Sequence, residues 1–99
     1  MTRRIFKYEI KGPGAQIISM PRGAEIVAVQ MQGIYPFMWA VVDDEAPAED
    51  RRFYVAATGE AIPDDSRYLD TFYMRTAVDT PLVWHLLEPT SPGAGEAPQ

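Results

Sequence analysis

Glycine and proline interrupt this chain about every ten residues, and this spacing limits what it can fold into. The interruptions fall at 12–14, 21–23, 33–36, 47, 59–63, 81 and 89. No segment between them has the apolar periodicity of a helix of normal length. Several short strands joined by turns are therefore expected.

Seven segments between the interruptions are rich in aromatic and β-branched residues, namely 3–10, 16–20, 25–32, 37–42, 52–58, 68–75 and 82–87. Short connections imply antiparallel pairing, because parallel strands need long crossovers. We predict a mainly β fold, a single small antiparallel sandwich or open barrel of about seven short strands with little helix. One helical turn is expected within 43–50, capped by Asp43 or Asp44 with Pro47 near its start.

Alternation within the strands predicts their faces. Val27, Val29 and Met31 should share one face of their strand. The segment 37–42 is apolar on both faces, which predicts a strand covered on both sides. Residues 1–88 are expected to form a single β domain. Residues 89–99 contain no large apolar side chain and are expected to form a flexible Pro/Gly-rich tail.

Composition excludes several classes of function. The chain has no cysteine, so disulfides, thiolate metal sites and thiol catalysis are excluded. It has neither a signal-peptide pattern nor 18 consecutive apolar residues, so we expect a cytoplasmic protein without a membrane partner. A net charge of −5, from 14 acidic and 9 basic residues, argues against nucleic-acid binding.

The charges are segregated along the chain. Five basic residues lie within 1–22, and 43–50 is strongly acidic: Arg3, Arg4, Lys7, Lys11 and Arg22 against Asp43, Asp44, Glu45, Glu49 and Asp50. Solvated edges and loops explain this pattern. Head-to-tail pairing between subunits and a partner-facing acidic patch are the alternatives.

Candidate catalytic residues are few. His85 is the only histidine, and we interpret it as a strand histidine whose ring nitrogens bond to neighbours. The pairs Asp43-Asp44 and Asp64-Asp65 are typical of turns. We therefore predict a protein that is not an enzyme and that has no cofactor and no metal site. A small hydrolase that uses His85 with Asp64 or Asp65 is an alternative.

Ligand-binding candidates are arginines that could clamp an anion and tyrosines outside the expected core. The predicted set is Arg51, Arg52, Tyr54, Arg67, Tyr73 and Arg75. The loop 58–65 either shapes a turn or faces a ligand. A homo-oligomer is expected, because the core is small and strand edges need covering.

Several motifs carry a family resemblance. They are Ile5-Phe6-Lys7-Tyr8, the run from Met20 to Gln30, Trp39-Ala40-Val41-Val42-Asp43, Arg52-Phe53, Thr58-Gly59, Ile62-Pro63-Asp64, Thr71-Phe72 and Val83-Trp84-His85-Leu86. In this order, over residues 5 to 88, the chain resembles small proteins of unknown function from bacteriophage and prophage genomes. The resemblance implies a phage accessory protein in the host cytoplasm and implies no site residue.

Two further hypotheses follow from this resemblance and from the missing catalytic motif. The first is a non-enzymatic binding protein, acting against host defence, that sequesters a small anionic molecule or a defence protein. The second is a virion structural or decoration protein.

Overall fold

The computed structural model of the chain describes residues 2–75 and 81–90, and it confirms the predicted all-β fold. Seven strands form two antiparallel sheets that pack as an open sandwich and do not close into a barrel. The strands are β1 (Arg3–Glu9), β2 (Gly14–Pro21), β3 (Glu25–Gln32), β4 (Tyr35–Asp43), β5 (Ala48–Ala57), β6 (Ser66–Arg75) and β7 (Pro81–Pro89). Within the described ranges, no helix is long and apolar enough to cross a membrane.

The two sheets have different sizes and strand orders. The first sheet has the order β1-β4-β3, and the second has the order β2-β5-β7-β6. The chain crosses between the sheets at the β1–β2, β2–β3 and β4–β5 connections, as is usual for a sandwich whose core lies between two sheets. Both ends of each sheet are edge strands, so β1, β3, β2 and β6 each have one edge that pairs with no other described strand.

Alternation along β4 and β5 forms the core between the sheets. Met38, Ala40 and Val42 are buried on one face of β4. Phe53 and Val55 are buried on β5 and belong to the same apolar cluster. Because side chains alternate along a strand, every second residue of both strands enters this one layer.

The outer face of β4 differs from the prediction that this strand is covered on both sides. Phe37, Trp39 and Val41 point away from the core and are only half-buried. The rings of Phe37 and Trp39 lie 6.1 Å apart, and the Lys7 ammonium lies 4.6 Å from the Phe37 centroid. Neighbouring side chains of the same sheet thus give these residues partial shelter.

A β-bulge changes the predicted faces of β3. The register with β4 shifts between Ile26 and Ala28. Val27 lies at this irregularity and is exposed, whereas Val29 is buried. A bulge adds one residue to one strand, so the alternation is reset there and Ile26 replaces Val27 on the core face.

The segment after β4 forms a turn and not the predicted helical turn. The Ala46 amide donates to the Asp43 carbonyl at 3.1 Å, and the Glu45 amide donates to the Asp43 carboxylate at 3.0 Å. Asp43 therefore caps a tight turn in the manner of an Asx turn, and β5 begins at Ala48 before a helix can propagate.

The predicted flexible tail lies mostly outside the described residues. Pro89 still belongs to β7, and the Thr90 amide donates to the Asp65 carbonyl at 3.1 Å. The strand thus extends at least one residue beyond the predicted domain boundary at residue 88. The prediction for 91–99 concerns residues outside the described part of the chain.

Gly33 shapes the hairpin between β3 and β4. It occupies the first central position of a two-residue turn with φ of 65°, where a type II′ turn requires the left-handed region. We expect Gly33→Ala to lower the free energy of unfolding by about 1–2 kcal/mol, because only glycine adopts this φ without strain. Urea denaturation followed by circular dichroism measures the change.

Gly12→Ala is the matched control for that substitution. An added Cβ meets nothing within 4 Å at either glycine, and Gly12 does not adopt the left-handed region. We therefore expect Gly12→Ala to leave stability unchanged or slightly raised. If both variants lost the same free energy of unfolding, the positive φ of Gly33 would not be the cause of the loss.

Candidate ligand-binding site at one end of the sandwich

The two ends of the sandwich are chemically different. We call the closed end the one where β3 and β5 begin and β7 finishes, which holds Ala24, Arg51 and Glu88. We call the open end the opposite one, formed by the β1–β2 connection, the β3–β4 hairpin and the start of β7. An ion pair occupies the first, and an apolar cavity occupies the second.

The closed end is held by Arg51 and Glu88. The guanidinium donates from Nε and Nη2 to the two Glu88 carboxylate oxygens at 2.7 and 2.9 Å. Its remaining terminal nitrogen donates to the Ala24 carbonyl, which lies just before β3. The side chains are only 12% and 15% exposed, so this fork joins both sheets in a largely water-free setting.

The open end contains a cavity of about 370 Å³ between the sheets. Its floor is apolar and comes from the inner faces of the second sheet: Val55, Phe72, Met74 and Trp84. Its rim is the β1–β2 connection, together with Ile34, Tyr35 and Pro36 of the hairpin. A concave, mainly apolar site of this volume is in the range that holds a small organic molecule.

Large apolar side chains are exposed around this cavity. Ile34 at the hairpin tip is 75% exposed, and Tyr35, Tyr73 and Leu82 are also exposed. A second cavity of about 290 Å³ lies beside the first and shares Ile34 and Met74 with it. Turn tips are normally polar, so a hairpin tip with an exposed Ile34 beside two cavities is unusual and makes this end a candidate binding surface.

Trp84 brings an unsatisfied donor to the cavity wall. Its side chain lines the cavity, and its buried Nε1 has no hydrogen-bond acceptor within residues 2–75 and 81–90. An orphaned buried donor costs about 1–3 kcal/mol. Such groups are uncommon in folded proteins, and a buried water or a bound molecule commonly supplies the missing acceptor.

The predicted ligand residues do not gather into one site. Arg51 is committed to Glu88, and Arg67 donates to the same carboxylate at 3.1 Å, so both belong to the closed end. Arg52 and Tyr54 are half-buried on the outer face of the second sheet. Arg75 pairs in register with Pro81, eight residues along β6 from Arg67, which is about 26 Å at the usual rise of a strand.

Tyr73 is the predicted residue whose side chain lies at the open end. It is 62% exposed and lines the second cavity with Met31 and Gly33. The residues that line the first cavity were missed, because they are apolar and carry no motif. The sequence signal that could have revealed them is Ile34-Tyr35-Pro36, a large apolar group placed directly after a turn glycine.

His85 lies on the outer face of the second sheet, away from the core. Its Nε2 is 2.8 Å from the Thr58 hydroxyl, and its Nδ1 is 3.2 Å from the hydroxyls of Tyr68 and Thr71. Partial burial raises the pKa of the Tyr68 phenol, and Asp70 and Tyr73 add to this effect. Both ring nitrogens thus have neighbouring hydroxyl partners, as the sequence analysis favoured.

The predicted turn residues around His85 form a shallow depression. Thr58, Gly59 and Ile62 border a cavity of about 170 Å³ beside His85. Gly59 has φ of 90°, and the Ser66 hydroxyl donates to the Pro63 carbonyl at 2.6 Å, which closes the loop. The loop 58–65 is thus closed by its own turn contacts, and it also borders a small recess.

The acidic residues after β4 have partners within the chain. Asp44 pairs with Arg4, and Glu49 pairs with Arg22 at 3.5 Å. The carboxylates of Asp43, Asp44 and Glu45 lie within 4.8 Å of one another. Ion pairing and turn capping account for Asp43 and Asp44, so the segregated charges of the sequence meet within one chain.

Arg51 provides a test of the closed end. We expect Arg51→Ala to lower the free energy of unfolding by about 3 kcal/mol, because Glu88 would keep its charge in a largely buried site without its main partner. Arg67→Ala is the control: this side chain is 62% exposed, and its loss should cost less than about 1 kcal/mol. Urea unfolding midpoints measure both, and equal small losses would contradict a structural role for Arg51.

Comparisons with known proteins assign a family and no activity. No curated protein and no solved structure shows significant similarity to this chain. The family match covers residues 1–96, so it extends past the boundary at residue 88 that the resemblance suggested. Because this match spans nearly the whole chain, the chain belongs to the family of domains of unknown function DUF7352.

Proposed function

We propose that this chain is a non-enzymatic binding protein whose open end holds a small apolar molecule. The observation that carries the proposal is the 370 Å³ cavity between the sheets, with Val55, Phe72 and Trp84 in its wall. Exposed Ile34 and Tyr35 at the rim add contact surface for a guest. Burial of an apolar ring against such a wall is favourable by about 25 cal/mol per Å².

The residues that line the cavity indicate which type of small molecule it would bind. Lys11 and Glu9 stand at the rim, and their side chains pair with each other at 3.1 Å, so the rim offers little net charge. The unsatisfied Trp84 N–H favours a guest with a hydrogen-bond acceptor. An apolar ring system with one acceptor therefore fits better than the small anion expected from the arginines.

The biological setting of the proposal rests on the resemblance. Similarity to phage and prophage proteins supports an accessory role in the cytoplasm of an infected bacterium. Sequestering a host signal or a component of a defence system needs binding without turnover.

Native mass spectrometry of protein purified gently from phage-infected cells tests this function. We expect the chain to carry an added mass of roughly a few hundred daltons, the size that such a cavity accommodates. If the purified chain has only its own mass in this measurement, it does not sequester a small molecule. A mass corresponding to a bound protein would also contradict small-molecule sequestration and would redirect the search to protein partners.

A substitution at the cavity mouth makes the test specific. Gly12 lines the cavity, and a Cβ there meets nothing within 4 Å, so the backbone leaves room to begin a larger side chain and Gly12→Phe is expected to fill the mouth. Ala48→Phe adds the same ring at an exposed position near the closed end and is the matched control. We expect the added mass to disappear in the first variant and to persist in the second. Retention in both would place the guest elsewhere.

A further inference from the structure

The free edge of β1 is built differently from the other three sheet edges. β3 and β6 each have a register shift, and β2 begins at Gly14 with φ of 96° and finishes at Pro21. β1 pairs with β4 in continuous register from Arg3 to Glu9, without a bulge, a glycine or a proline. An edge strand with continuous register can pair with another strand.

The backbone groups that face this edge can be assigned from the hydrogen bonds at its two ends. The Asp44 amide donates to the Thr2 carbonyl at 3.0 Å, and the Ile10 amide donates to the Pro36 carbonyl at 2.9 Å. Polar groups alternate in direction along a strand, so the even-numbered residues of β1 face β4. The amides and carbonyls of Arg3, Ile5, Lys7 and Glu9 therefore face the free edge.

The side chains of β1 are also exposed for a strand with so many apolar residues. Ile5 is 65% exposed, and Phe6 is 36% exposed although it lies on the core side of the sheet, opposite Ala40. Exposed apolar side chains on an edge strand are costly in water, and the side chains of a strand added beside it would cover part of them.

We propose that two copies of this chain pair through β1 to form a continuous six-stranded antiparallel sheet. A two-fold axis perpendicular to the sheet is the symmetry that produces an antiparallel pair, and it keeps each face on its own side. Opposite residues must then have numbers of the same parity, because they share a face. The occupant of the β1 edge is thus β1 of the second copy.

Several registers between the two β1 strands satisfy the two-fold symmetry, and the charged side chains favour one of them. With Phe6 opposite Phe6 of the second copy, all seven residues pair, and Arg3 lies opposite Glu9 of the second copy at both ends. If the axis moves to Ile5, Arg3 of one copy lies opposite Lys7 of the other. If the axis moves to Lys7, the two copies of Lys7 lie opposite each other. Like charges directly opposite each other are unfavourable.

The selected register also agrees with the backbone. Arg3 with Glu9 and Ile5 with Lys7 are pairs whose polar groups both face the free edge, so each forms a hydrogen-bonded pair. Phe6 falls at the axis as a non-hydrogen-bonded pair, where side chains approach most closely. The most exposed aromatic residue of the core face would thus be covered by its own copy. This inference does not depend on the function proposed for the open end.

Sedimentation equilibrium of the full chain over a range of concentrations tests the dimer. We expect a species of twice the 11.1 kDa chain mass that dissociates on dilution. Arg3→Glu and Glu9→Arg should each raise the dimer dissociation constant on the order of tenfold, because each change affects two symmetric pairs. The double variant should restore the original constant. Arg22→Glu makes the same charge change on an exposed connection and should have no effect.

Ile5→Pro gives an independent test of the backbone pairing. Proline removes an amide that faces the free edge and leaves the β1–β4 hydrogen bonds intact, so the chain should fold and remain monomeric. A wild-type chain that is monomeric at every concentration would overturn the proposal. A dimer that the single reversals do not weaken, or that the double variant does not restore, would overturn it as well.

Discussion

The whole structure depends on one apolar layer between two small sheets. Met38, Ala40 and Val42 from β4 meet Phe53, Val55 and Leu86 from the second sheet, and most of these side chains are fully buried. A chain of 99 residues has a small core, and without cysteine it has no disulfide to support that core. The packing of this apolar layer therefore determines where the two sheets are in contact and where a cavity remains between them.

The fold was largely predictable, because its signals are local. Glycine and proline spacing located all seven strands. Three predictions about the strands and turns were wrong for identifiable reasons. Val27 falls in a bulge, and the acidic segment closes as a turn because β5 begins too soon for a helix. The outer face of β4 is only half-buried, because neighbouring side chains of its own sheet shelter it in part. The sequence alone does not show that a bulge interrupts β3 or that a turn forms instead of a helix after β4.

The candidate site was much less predictable than the fold. The sequence directed attention to charge, and the arginines were grouped because they could bind an anion. Arg51 and Arg67 instead share the Glu88 carboxylate, which sequence separation hides. The cavity is formed by apolar residues that come together only through the strand order β2-β5-β7-β6, an arrangement that no periodicity encodes.

The two ends of the sandwich also differ in how firmly their backbone is held. At the closed end, one guanidinium joins the start of β3 to β5 and β7. At the open end, the hairpin tip carries an exposed Ile34 and borders two cavities. Local opening costs least where buried contacts are few, so amide exchange should be fastest around the hairpin and slowest beside Arg51. The ion pair that stabilises the fold and the proposed binding cavity thus lie at opposite ends, so substitutions at one end can accumulate in evolution without affecting the other.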